Sequence, residues 1–491
     1  MISILHEHFV IFSFLFLLCF GIIYKFSMYH NYPSIKKSST IIAVLILCSA
    51  LIIMLNEFPI DSTLYNTLFV KDKISLSIEI IMTAIFLIIC ISTWKYNKIE
   101  NIPQLEYLII SIATLLSICL LITVEEMFAF YLILEFQSIT LYVLASLKKN
   151  KHSIEAAIKY LIMGSFASIL FLLGFSFIYS VSGLTHFEDL LFFLQNQKED
   201  SQIDQYICYG LLFMSIGLFF KTYIVPMHLW VSDIYELAPT SSVMIFATTS
   251  ALPYYFIFYK MYGILFANYQ WFWKPLLIVV CVSSIVIGTV GALYQYSIKR
   301  LIAYSSITNT GYMFLSLILY ESPLLITNAF FYIILYTLNL LGLFTLLNHL
   351  YYKETNGHSY FIQNIYQLNG LYDKNKILSL FFMIYFYTLA GLPPFSFFFA
   401  KIYLFTSLMY QQKYMWLIIV LAIATIIAVF YYIRVVQLIY FNKRQENYTI
   451  QKIPFYITFI NTCILLINFF YCVTTSDTFL LIQYITFELY T

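Results

Sequence analysis

Charge is what this sequence has least of. Only 10% of its 491 residues are charged, against 62% hydrophobic and 20% aromatic, and the mean hydropathy is +0.85. Soluble domains carry about 25% charged residues, so a chain of this composition could not cover its surface with polar groups in water. Soluble enzymes, nucleic-acid binders and disordered scaffolds are excluded, and the sequence reads as an all-α polytopic membrane protein. Arginine is nearly absent: Arg300, Arg434 and Arg444 are the only three among 26 basic residues. A formal net charge of +2 gives no polybasic basis for nucleic acid or acidic substrates. The eight cysteines, mostly inside apolar runs (Cys19, Cys48, Cys90, Cys119, Cys281), show no CxxC or metal-ligand spacing, which argues against a disulfide framework or a metal site. The N-terminal region has no Arg-rich presequence, and the apolar run from Phe9 to Tyr24 lacks a small-residue cleavage motif. What is abundant is Phe (48), Tyr (44), Ile and Lys. That usage is the mark of an AT-rich coding genome and leads to the expectation of mitochondrial encoding.

Long polar segments are missing too. A bilayer is crossed by about 20 apolar residues in a helix. Spans are expected at roughly 9–29, 38–57, 74–95, 104–123, 126–148, 155–182, 206–230, 240–268, 275–297, 300–320, 324–350, 376–407, 413–441 and 453–473, fourteen in all. The longest loops, 184–205 and 351–375, leave no room for a flavin, haem or nucleotide domain. Any activity is therefore expected inside the membrane. Sixteen loop and span-end cations follow odd-numbered spans, among them Lys36, Lys37, Lys148, Lys149, Lys299 and Arg300. Five follow even ones (Lys71, Lys73, Lys198, Lys274, Lys413). The bias places odd loops on the cytoplasm-like side, the matrix in a mitochondrion, and both termini on the intermembrane-space side.

Where charge is scarce, its placement becomes readable. An ionisable group deep in a bilayer costs a few kcal/mol or more and is a functional hypothesis by default. Glu79 and Glu106 lie close enough to span starts to be read as helix-end residues. Glu135, Lys221 and Lys401 lie deep within the fifth, seventh and twelfth spans. Both lysine-bearing spans are broken by proline. Pro226 frees the carbonyl of Thr222, beside Lys221, while Pro393 and Pro394 free those of Leu389 and Ala390. Lys401 follows seven residues later, about 10 Å along a helix. Two broken helices, each with a buried lysine, are the pattern of a transport path built from repeats. Burial lowers the affinity of a lysine for its proton and a nearby acid restores it, so Glu135 is the expected partner of Lys221. His228 is a candidate relay or a headgroup-level histidine. Lys159, in EAAIKY, assists or snorkels. The Tyr-rich spans read as packing and interface belts.

The segments LEFQSITLYVLASL, SIEAAIKYLIMGSFAS, FFKTYIVPMHLWVSDIYELAPT, SIKRLIAYSSITNTGYMFLS, LAGLPPFSFFFAKIYLF and YYIRVVQLIYF, in that order, resemble the antiporter-like membrane subunits of respiratory complex I. The resemblance runs from about residue 104 to 441. Lys401 after the GLPPF break, and EAAIKY, are similar to the NADH dehydrogenase subunit 2 branch. The resemblance implies fourteen helices with two inverted five-helix repeats and broken helices 7 and 12. The divisions would be 1–103, 104–268, 275–441 and 450–491. It implies proton transfer through Glu135, Lys221 and Lys401, with weaker roles for Lys159 and His228. No cofactor or metal is expected on this chain. FMN, iron–sulfur clusters and ubiquinone would belong to other subunits. The implied partners are neighbouring antiporter-like and quinone-proximal membrane-arm subunits and lipids, not nucleic acid.

Two positions depart from that pattern. The central lysine of the eighth helix is replaced by Ala251, and Lys260 lies nine residues further, about 13 Å along a helix. A histidine commonly found in SSIxHxGY is replaced by Asn309, which hydrogen-bonds but does not titrate. The link between half-channels would then fall to water, Ser250, Tyr254 or Tyr255. Two other readings stay open: a cation/proton antiporter subunit, which Lys401 in place of an acid argues against, and a structural scaffold with a degenerate channel, which the retained buried charges argue against.

Overall fold

The computed structural model describes residues 5–27, 35–57, 62–64, 67–196, 201–319, 323–353, 359–410, 414–442, 449–450 and 453–473. The loop cations Lys198, Lys413, Lys443, Arg444 and Lys452 and the tail 474–491 lie outside the described residues. The chain is almost entirely helical. In order it forms α1 (Leu5–Ser27), α2 (Ile35–Asn56), α3 (Lys73–Ile99), α4 (Gln104–Thr123), α5 (Met127–Ser146), α6 (Lys151–Ser182), α7 (Phe187–Asn196), α8 (Ser201–Lys221), α9 (Leu229–Leu237), α10 (Thr240–Thr249) and α11 (Ala251–Phe258). It continues through α12 (Gln270–Leu293), α13 (Ile298–Leu315), α14 (Pro323–Leu347), α15 (Leu371–Lys374), α16 (Lys376–Ala390), α17 (Ser396–Tyr410), α18 (Met415–Tyr440) and α19 (Phe455–Val473). Five short strands, β1 (Ser62–Leu64), β2 (Phe69–Lys71), β3 (Tyr351–Lys353), β4 (Ser359–Phe361) and β5 (Thr449–Ile450), form a hairpin and a three-stranded sheet in the loops.

Among the described residues ten helices are long and apolar enough to cross a membrane, and four shorter apolar helices accompany them. Each of the fourteen expected spans falls on a helix or on a helix broken in two. Helix α13 is not among those ten; besides Lys299 and Arg300 in its first turn it carries five polar residues, Ser305, Ser306, Thr308, Asn309 and Thr310. All five are buried, so that polarity faces protein rather than lipid.

The chain divides into two compact units. Unit 1 is Met1–Lys221 with Leu237–Trp273, and unit 2 is Thr222–Glu236 with Lys274–Thr491. The chain leaves the first unit at Lys221, inside the seventh span.

In unit 1, α6 and α8 approach closely through small residues. A Cβ at Gly174 would lie 2.6 Å from the Gly210 carbonyl oxygen, so the contact requires glycine. Close backbone approach is a main source of helix association in lipid, where apolar burial between helices adds little. This packing fixes α8, whose last residue is Lys221. The opposite flank of α6 leaves Leu161, Ile162, Phe166 and Ile169 exposed, as expected of a face turned to lipid or another subunit.

In unit 2, β3 pairs antiparallel with β4 (Tyr352 opposite Tyr360) and with β5 (Tyr352 opposite Ile450). The sheet sits in the loops following α14 and α18. Helices α14, α16, α17 and α19 pack around one another, and Lys401, on α17, is 5% exposed.

Candidate functional site

The break in the seventh span is a real interruption. Helix α8 stops at Lys221, Tyr223 takes a left-handed conformation (φ +50) that L-residues normally avoid, and α9 restarts at Leu229. The loss of backbone partners around Pro226 is met by side chains. The Val225 amide donates to Ser284 Oγ at 3.0 Å. Lys221 thus occupies the carboxyl end of a helix, where the unpaired carbonyls and the helix dipole favour a cation.

Lys221 is 7% exposed, and its Nζ donates to Ser138 Oγ on α5. Glu135, one turn earlier on α5, acts on the ammonium through space rather than in ion-pair contact. One Glu135 carboxylate oxygen is buried without a hydrogen-bond partner. An orphaned buried carboxylate oxygen is costly unless something approaches it in another state. Ser138, whose own hydroxyl donates to the Leu134 carbonyl at 2.6 Å, lies at the lysine end of this pair. Next to it on the chain, Gln137 Oε1 accepts from Tyr254 OH at 2.5 Å. Of the groups suggested for a link near Ala251, Tyr254 is therefore tied to α5 beside the lysine site, while Ser250 Oγ donates to the Phe246 carbonyl at 3.0 Å.

The other residues singled out from sequence fall elsewhere. Lys159 is on the exposed side of α6 and pairs with Glu155 at 2.7 Å. His228, in unit 2, immediately precedes α9; it is 9% exposed, and its buried Nδ1 has no close hydrogen-bond partner among the described residues. Glu79, read as a helix-end residue, is completely buried in α3. Sequence placed it within a turn or so of the span start but could not tell which face was covered.

Lys260 does not fill the place of Ala251. It lies in a π-helical turn, Tyr259–Leu265, that ends the eighth span. There it pairs with Glu125 and donates to the Val124 carbonyl at 2.9 Å. Burial pushes the Glu125 carboxyl, in the turn between α4 and α5, above the usual carboxylate range, and Lys260 pulls it back.

In unit 2 the twelfth span breaks as the two prolines demand. Helix α16 ends at Ala390, Gly391 closes it in the left-handed region (φ +78), and α17 begins at Ser396. Lys401 folds back across this break. Its Nζ donates to the Ala390 carbonyl at 3.1 Å and the Leu389 carbonyl at 3.4 Å, the two oxygens that Pro393 and Pro394 release. The rings of Phe397 and Tyr312 lie 5.3 and 6.0 Å from Nζ, where their faces favour a cation. A Cβ at Gly391 would stand 2.9 Å from Nζ, so glycine there serves both the backbone turn and the lysine. Asn309 accepts from Tyr332 OH at 2.8 Å and donates to the Ser305 carbonyl at 2.8 Å, a fixed polar contact and not a titrating one.

The ammonium of each lysine thus lies buried at the carboxyl end of a half-helix, its own in Lys221 and the preceding α16 in Lys401. Such a centre is chemically able to hold or pass a single proton. These features, on a chain of about fourteen helical spans, define the class of antiporter-like membrane subunits. A family model described as NADH:quinone oxidoreductase/Mrp antiporter, TM matches residues 124–428, and the chain belongs to that family. It is 34% identical over 452 residues to the NADH-quinone oxidoreductase subunit N of Pelagibacter ubique, covering 91% of this chain and 90% of that one. It is 30% identical over 500 residues to the protein of the same name from the Wolbachia endosymbiont of Brugia malayi, covering 99% of each. The fold is also similar to chains in respiratory complex I of Thermus thermophilus (TM-score 0.78, 20% identity, 96% of this chain and 98% of that one). It is similar too to a chain of the Mrp complex of Dietzia sp. (TM-score 0.81, 15% identity, 99% and 98%).

Proposed function

We propose that this chain is a proton-translocating membrane-arm subunit of respiratory complex I, the NADH:quinone oxidoreductase. It would couple electron transfer in other subunits to proton movement across the membrane. The observation that carries this reading is the pair of buried lysines, Lys221 and Lys401, each with its ammonium at the carboxyl end of a half-helix beside a proline break. The overall likeness to proteins named NADH-quinone oxidoreductase subunit N supports the complex rather than a free-standing antiporter. In this reading Lys221 releases its proton when Glu135 moves away and regains it when Glu135 returns, and Lys401 is the terminal carrier of the second half. Lys159 and His228 act at the margins, His228 as a relay for which its unpartnered Nδ1 is suited. The divisions 104–268 and 275–441 are the two repeats. FMN, iron–sulfur clusters and ubiquinone reside in other subunits, and this chain contributes no redox centre. Its partners are the neighbouring antiporter-like and quinone-proximal subunits and the surrounding lipid.

The Lys-over-Arg usage and abundance of Phe and Tyr support the inner mitochondrial membrane, with odd loops in the matrix and both termini in the intermembrane space. The bacterial origin of the relatives named above favours a second reading of location, a bacterial cytoplasmic membrane with odd loops in the cytoplasm. Isolation in mild detergent through an affinity tag on this chain tests the assembly. Co-migration with NADH-oxidising activity in one large complex is expected. Recovery without that activity, among cation-transport subunits, would contradict it.

A further inference from the structure

The losses at Ala251 and Asn309 raise the question of how a proton reaches Lys401. Three helices of unit 2 turn polar side chains toward one another beside that lysine. On α14 these are Asn339, Thr345 and, just past its end, His349; on α16, Tyr385 and Thr388; on α19, Asn461 and Asn468. The spacings of three on α16 and seven on α19 keep each of those pairs on one helix face, as does the spacing of four from Thr345 to His349. All seven side chains are at most 2% exposed.

The hydrogen bonds form two side-chain clusters, one around Asn339 beside the lysine and one around Asn461 further out, bridged by main-chain carbonyls. Thr388, adjacent to the Leu389 carbonyl that Lys401 uses, donates to Asn339 Oδ1 at 3.1 Å and to the Tyr385 carbonyl at 2.7 Å. Asn339 Oδ1 also accepts from Asn468 Nδ2 at 3.0 Å. Tyr385 OH and Thr345 Oγ1 both donate to Asn461 Oδ1, at 2.9 and 3.1 Å. The Thr345 carbonyl meets His349 Nδ1 at 3.1 Å, and Tyr456 OH lies 3.5 Å from His349 Nε2. Gly342 completes the lane, because a Cβ there would overlap the Tyr385 hydroxyl. From Asn339 to His349 the helix rises about 15 Å, half the hydrocarbon thickness. The outer end therefore lies at the membrane face that carries the loops after α14 and α18, where β3, β4 and β5 form their sheet.

Helix association needs no such alignment of buried polar side chains: isolated polar contacts or small residues suffice as interhelical glue. A row that starts at a buried lysine and ends on an imidazole, the side chain that exchanges protons near neutral pH, has the composition of a conduction path. We propose that this seam is the proton access route to Lys401 from the face bearing the loops after α14 and α18, with His349 at its mouth. The proton passes from the His349 imidazolium, through hydroxyls and water ordered by the asparagine amides, to the neutral Lys401 amine. His349 is left neutral and Lys401 becomes an ammonium. The route bypasses Ala251 and Asn309, and it rests on the proton-translocating role proposed above.

The test uses the assembled complex in sealed vesicles, measuring NADH oxidation and proton uptake. In His349→Gln, which keeps a polar side chain but cannot titrate, the coupled rate should fall about tenfold. Added imidazole should restore it, and the far less basic pyrazole should not. If that variant fails to assemble, Thr345→Val should lower the rate and Thr345→Ser should recover most of the loss. An unchanged coupled rate in His349→Gln, or a loss that imidazole does not relieve, would overturn the seam if Lys401→Met still abolishes coupling. Unchanged pumping in Lys401→Met itself would instead remove the proton-translocating reading, and the seam with it.

Discussion

The two lysine centres solve one problem in different ways. Lys221 ends its own helix and binds a side-chain hydroxyl, Ser138, with the carboxylate of Glu135 acting from a distance. Lys401 reaches back to main-chain carbonyls of the preceding half-helix and lies against aromatic rings, with no carboxylate in contact among the described residues. Side chains change rotamer within nanoseconds and at small cost, whereas carbonyls fixed by a helix end move only with the backbone. The first centre is therefore built to be switched by a side chain. The second is switched only by a shift of the broken helix or by delivery of a proton.

The largest expected effect tests whether Lys401 must titrate. Lys401→Arg preserves the charge but cannot release a proton, so coupled NADH oxidation should fall about a hundredfold. Retention of the rate would mean that the charge alone matters. Next, Gly391→Ala forces a Cβ against Lys401 Nζ and a left-handed backbone on a residue that resists it, at a cost of about 1–2 kcal/mol. The coupled rate should drop about tenfold, while the corresponding measurement with Ser138→Ala bears on Lys221 alone. That substitution removes a hydrogen bond to a charged group, worth about 1.5 kcal/mol or about tenfold at most. Ser138→Thr, which keeps the hydroxyl, should recover most of it. An equal loss in both Ser138 variants would point to packing. The smallest effect is expected of Tyr254→Phe, about twofold, since it removes only the bond to Gln137 beside the site. A loss as large as that of Lys401→Arg would move the link between centres to Tyr254.

Much of this was legible in the sequence because each signal was local. Hydropathy marks the fourteen spans, and proline marks both breaks. The rule that proline strips the carbonyl four residues back identifies Leu389 and Ala390, and these are the oxygens Lys401 uses. Contacts between distant helices were not legible. Ser138 stands 83 residues from Lys221, and nothing in periodicity ranks it above the other hydroxyls of α5. The π-helical turn around Lys260 and the full burial of Glu79 also depend on neighbouring helices. A neutral amide in a span, as at Asn339, Asn461 and Asn468, reads as packing until its partners are known.

The central claim is that Lys221 carries protons. The most direct measurement is the number of protons pumped per NADH oxidised by an assembled complex bearing Lys221→Met. A clear fall in that ratio or in the coupled rate is expected. Full assembly with unchanged pumping per NADH would contradict it.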